Sequence, residues 1–168
     1  LHPLSPLELS RLEERFAVVF HDAVELERVP RPEVQIDMSR TYFPRALALG
    51  KYYFGGGIEF RDSHFARDIN FDSAHFVGIP DIRNAHFAMN AYFRATQFAE
   101  KVFFIAACFE GDADFRAAKF ADWTQFQNTH FRAGAFFQAA HFDGLVDFRS
   151  THFTDKADFS NGSFKASA

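Results

Sequence analysis

Residues 113–137 read Ala113-Asp114-Phe115-Arg116-Ala117-Ala118-Lys119-Phe120-Ala121-Asp122-Trp123-Thr124-Gln125-Phe126-Gln127-Asn128-Thr129-His130-Phe131-Arg132-Ala133-Gly134-Ala135-Phe136-Phe137. Their phenylalanines at 115, 120, 126, 131 and 137 fall at steps of five, six, five and six. The alternation runs from Phe54 to Phe164, where twenty of twenty-one positions are Phe and the exception is Ile82. Stepping backward reaches Leu49, Phe43 and Met38, all apolar. Two steps make an 11-residue unit and four make 22. A fixed internal period is the signature of a repeat architecture.

A second column accompanies the first. Two residues before each Phe of the register except Phe54, which Tyr52 precedes, stands a small or aliphatic side chain, as in Ala85, Ala91, Val102, Ala107, Ala113, Ala118, Thr124, Thr129 and Ala135. An 11-residue period can also signal a right-handed helical supercoil. At about 98° per residue, however, the residue two back would lie nearly opposite the Phe, and no coherent apolar stripe would form. Positions i−2 and i share a face in a β-strand. The expected unit is therefore a short strand with one large and one small inward residue, followed by a turn. Gly56, Gly78, Gly111 and Gly144 each lie two residues after a Phe in a six-residue step. The expectation there is a corner that needs φ > 0, which suits glycine.

The unit resembles the pentapeptide repeat, whose pattern is A-(D/N)-(L/F)-x-x. Ala113-Asp114-Phe115, Ala157-Asp158-Phe159 and Ala85-His86-Phe87 carry the likeness. It covers about three quarters of the chain. It implies an all-β fold, a right-handed quadrilateral β-helix (β-solenoid) of about six coils of 22 residues. The chain departs from the pattern in its six-residue steps and in its Phe-centred core. Hexapeptide acyltransferases match less well, because they repeat strictly by six around an aliphatic residue. Coils stacked about 4.8 Å apart would give a rod on the order of 28 Å long, with four columns of aromatic rings inside.

Residues 1–35 read as a separate element, and residues 36–168 as the solenoid. Ser5-Pro6-Leu7-Glu8 has the form of a helix start, with Ser at the cap, Pro at the first position and Glu three after the cap. Leu9, Leu12, Phe16 and Val19 continue at helical spacing to an end near Phe20 or His21. Pro30 and Pro32 mark a linker. The expected role of this short N-terminal α-helix is to cap the first coil; a docking helix is the alternative.

Composition narrows the function. The 168 residues carry a formal charge of −4, of which the solenoid, with 15 acidic and 14 basic residues, contributes −1. Near neutrality argues against direct nucleic-acid binding. It also weakens a DNA-mimicking role. No run of 18 apolar residues suggests a transmembrane helix, so no membrane association is expected. The single cysteine, Cys108, rules out an intramolecular disulfide and suits a cytoplasmic setting. No phosphate loop, nucleophile elbow or C-x-x-C appears, so the expectation is no enzyme and no cofactor.

The outward residues should be those flanking each Phe. One face then carries Asp37, Glu59, Asp81, Phe103, Gln125 and Asp147 beside Ser39, Arg61, Arg83, Ile105, Gln127 and Arg149. The plain reading is a solvated ion-pair ladder. The next face carries Tyr42, His64, His86, Cys108, His130 and His152, and the face opposite adds His75 and His141. His64, His86, Cys108, His130 and His152 are candidate metal ligands, since imidazole and thiolate bind zinc or nickel. Against that, the repeat itself dictates the spacing, a flat column offers two ligands per ion, and no carboxylate is expected beside them. Tyr92, Phe103, Ile105 and Phe136 lie outward in this register and are candidate partner-surface residues. Trp123 falls at a corner, and its role is not assigned by the pattern.

The expected function is a non-enzymatic, bacterial protein-binding scaffold. Two alternatives remain open. One is a DNA-mimicking protector of a type II topoisomerase (gyrase), implied by the family resemblance. The other is a metal- or pH-responsive protein that uses the histidine column. The resemblance also implies a homodimer through the C-terminal coil, because family members that bind gyrase often pair that way.

Overall fold

Each strand is only two residues long, so none could stand alone; what holds them is the coil above and below. The computed structural model describes residues 35–165. The expected N-terminal helix and linker lie outside the described residues. Among the described residues, twenty-four strands sort into four parallel sheets of six. The described residues form an all-β right-handed solenoid of about six coils.

The first face holds Ile36–Asp37, Ile58–Glu59, Pro80–Asp81, Val102–Phe103, Thr124–Gln125 and Val146–Asp147. The second holds Tyr42–Phe43, His64–Phe65, His86–Phe87, Cys108–Phe109, His130–Phe131 and His152–Phe153. The third runs from Leu47–Ala48 to Ala157–Asp158, and the fourth from Tyr53–Phe54 to Ser163–Phe164. Every described partner lies 22 residues away, as in His86 with Cys108 and Ala91 with Ala113. A parallel stack in register places like residues over like, so a repeat in sequence becomes a column in space.

The core is the aromatic ladder. Phe43, Phe65, Phe87, Phe109, Phe131 and Phe153 stack with centroids 4.5–5.0 Å apart and planes within 7°. Neighbouring columns meet edge to face: Phe104 stands at 90° to Phe93 and at 87° to Phe115. Both geometries suit the ring quadrupole. Residues two before the Phe are buried as expected, from Ala74 to Ala140. Where that residue is Thr or Ser, its hydroxyl finds a carbonyl, in the preceding coil for Ser63, Thr96, Thr129 and Thr151 and two residues back for Thr41 and Thr124. Thr96 donates to Phe71 O at 2.8 Å, Thr129 to Phe104 O at 2.8 Å and Ser63 to Met38 O at 2.7 Å. A buried hydroxyl without such a partner would be costly.

The corners overturn one expectation. No described glycine has positive φ. The left-handed residues are Arg40, Lys51, Asp62, Ser73, Asn84, Ala95, Ala106, Ala117, Asn128, Ala139, Ser150 and Asn161, with φ of 53–65°. All lie two after the core residue in the five-residue steps, where the chain closes a tight turn, such as Ala74 N to Phe71 O at 2.9 Å. Glycine in the six-residue steps answers to space instead. A Cβ on Gly78 would stand 2.3 Å from the Gly56 carbonyl carbon, and one on Gly144 would stand 2.4 Å from that of Asp122. Coil backbones approach too closely there for a side chain.

Candidate functional site

The faces carry whatever chemistry the protein has, because the rings fill the interior. On the second face the in-register pairing assembles the histidine column as the spacing anticipates. His64 stacks on His86 at 4.6 Å, His130 on His152 at 4.8 Å, and Tyr42 on His64 at 5.1 Å. Cys108 pairs with His86 on one side and His130 on the other. Burial, and secondly the charge of His86, pushes the His64 imidazole below its ordinary pKa.

Contrary to expectation, a carboxylate accompanies this column. Glu110 follows Cys108 by two residues and so points to the same side. Its Oε1 lies 3.3 Å from His86 Nε2 and accepts from Cys108 Sγ at 3.5 Å. Arg132, one coil on, brings its Nε to 3.4 Å from the same oxygen. Burial pushes Glu110 up, but hydrogen bonds from Cys108 and His86 and the Arg132 charge outweigh it and hold the carboxyl below its usual range. Burial raises the Cys108 thiol. His130 and His152 are exposed and take no part in this cluster. The signal was present in the sequence as the outward row Ala66, Ala88, Glu110, Arg132, one position past the Phe.

The first face has the expected acid–base rows. Arg61 pairs with Glu59 and reaches Asp81 at 3.3 Å, and Arg149 pairs with Asp147 at 2.7 Å. The third face repeats the device with Arg116 on Asp114 at 2.6 Å. The four candidate partner-surface residues are all half-buried and point outward, without a shift of register. Two lie under guanidinium groups: Arg83 sits 5.4 Å from the Phe103 ring centre and Arg94 5.3 Å from that of Tyr92. Phe136 folds back over Gly134, whose absent Cβ would meet the ring at 2.6 Å.

A further outward column escaped the reading. The extra residue of each six-residue step that leads into the first face adds a third outward position there, at Gln35, Gly57, Ile79, Lys101, Trp123 and Leu145. Coil-to-coil hydrogen bonds pass through its carbonyls, as from Val102 N to Trp123 O at 3.1 Å and from Thr124 N to Leu145 O at 2.8 Å. This column places Trp123. Ile79 is 42% exposed and Leu145 57%. Together with Phe103 and Ile105 they make a mainly apolar strip across coils three to six, interrupted by Lys101 between Ile79 and Trp123 and bordered by the Glu59–Arg61 and Asp81–Arg83 pairs at one end and Asp147–Arg149 at the other. Among the described residues no helix is long and apolar enough to cross a membrane.

No protein-family model matches the chain, and no curated protein matches it either.

Proposed function

We propose that the protein is a non-enzymatic binding scaffold of the pentapeptide-repeat type, and that its first face docks a protein partner. The Ala-x-Phe unit and the four-sided coil support the repeat type. The observation that carries the docking face is the apolar strip Ile79, Phe103, Ile105, Trp123 and Leu145, framed by ion pairs. An apolar, aromatic-rich centre with a charged rim is the common anatomy of a protein interface. A DNA mimic would need a field of unpaired carboxylates, whereas Glu59, Asp81, Asp114 and Asp147 each pair with an arginine.

The test is site-specific photocrosslinking in cells that express the protein. A photoreactive residue at Lys101, exposed on the first face, should capture a defined protein. One at Lys119, on the fourth face, should not. Adding Phe103→Asp and Leu145→Asp should abolish the adduct at 101 while the circular dichroism spectrum is unchanged. Equal capture from both faces, or capture that survives the double substitution, would refute the reading.

A further inference from the structure

We propose that His86, Cys108 and Glu110 form a surface site for one zinc ion, or a similar borderline-soft divalent cation. The inference is independent of the docking face, which lies on another side of the coil.

Three observations assemble the site. First, the His86–Cys108 pairing sets an imidazole and a thiol side by side on adjacent coils. Second, the strand alternation brings Glu110 to the same side as Cys108. The three candidate ligand atoms lie within 4.8 Å of one another. Ligands around zinc stand about 2.0–2.3 Å from the ion, so small rotations of the half-buried Cys108 and the exposed Glu110 close that gap. Third, only one imidazole nitrogen is available. His86 Nδ1 is buried without a hydrogen-bond partner, while Nε2 faces Glu110. The ring is held in that pose by its stack on His64.

The donor set decides the metal. A thiolate, an imidazole nitrogen and one carboxylate oxygen suit zinc, cobalt or nickel and not magnesium or calcium, which take oxygen. Three protein ligands leave a fourth position open to solvent or to a partner's side chain. Binding displaces the Cys108 proton to solvent, and the thiolate then bonds the ion. The charge of Arg132 opposes the cation and competes for Glu110. Arg132 is therefore a brake on affinity, and removing it should tighten binding. His64 and His130 are the other titratable groups bordering the site on this face.

Cobalt(II) titration of the full chain tests the proposal, because a cysteine ligand produces a thiolate-to-cobalt charge-transfer band. One equivalent of cobalt should raise the band and zinc should quench it. Cys108→Ser should abolish the band. His86→Gln and Glu110→Gln should each weaken binding at least about tenfold, and Arg132→Gln should strengthen it. His130→Gln and His152→Gln should leave it unchanged. Absence of the band in the wild-type chain would overturn the proposal. So would a band that depends on His130 or His152 instead of His86 and Glu110. Thermal melts of each variant separate lost ligands from lost fold.

Discussion

Gly78 and Ala106 occupy two kinds of corner with opposite demands. At Gly78 a methyl group would run into the Gly56 backbone of the coil below. Gly78→Ala should therefore destabilise the protein by about 1–3 kcal/mol, the usual penalty for forcing atoms into a packed site. At Ala106 the backbone has φ of 56°, which favours a residue without Cβ. Ala106→Gly should stabilise it by about 0.5–1 kcal/mol, since relief of left-handed strain exceeds the added chain entropy. Urea unfolding of both variants checks the pair; destabilisation by Ala106→Gly and tolerance of Gly78→Ala would reverse the assignment of the corners. The sequence held half of this. Glycine marks the crowded corner, but spacing alone cannot tell crowding between coils from a need for positive φ. The left-handed corner holds Arg, Lys, Asp, Ser, Asn and Ala, so it carries no glycine signature.

The element is a short inward pair on each side of a coil, and its pattern was legible because core and column share one period. Phe104 is fully buried between coils, stacked on Phe126 at 4.8 Å. Phe104→Ala should cost about 3–5 kcal/mol. Thr129→Val, which removes the hydroxyl bond to Phe104 O, should cost about 1 kcal/mol in the same unfolding assay. Equal losses from the two would contradict the account. The histidine column adds a pH dependence. The native pKa of His64 lies below its ordinary value, so folding favours the neutral ring. Its contribution is complete above the ordinary unfolded value of about 6.5 and is lost as the pH falls through the lowered native value. Melting temperature should drop across that acid window in the wild type and drop less in His64→Gln; parallel curves would sink the assignment. The outward columns were harder to read than the core. Counting only the neighbours of Phe omits the third column of the six-residue steps, and so missed Ile79 and Leu145. Glu110 stood in a counted row, but its approach to His86 depends on side-chain direction across two coils.

On the scale of the whole molecule, the described strands make their main contacts with their counterparts in the coils directly above and below. Stability is then a sum over nearest neighbours. Hydrogen exchange on Phe104→Ala should show protection lost most in the coils next to residue 104 and least in the most distant ones. A uniform loss would mean that the rod unfolds as one unit. The central claim is that residues 22 apart stand side by side on one face. Cys108 is the sole native cysteine, so one added thiol reads out a single distance. Adjacent parallel strands lie about 4.8 Å apart, within the Cα span of about 4.4–6.8 Å that a disulfide tolerates. Mild oxidation of monomeric His86→Cys should yield an intrachain link to Cys108, mapped by mass spectrometry of peptides, whereas Gln97→Cys on the fourth face should remain reduced. Absence of the 86–108 link, or equal linking from position 97, would contradict the coil.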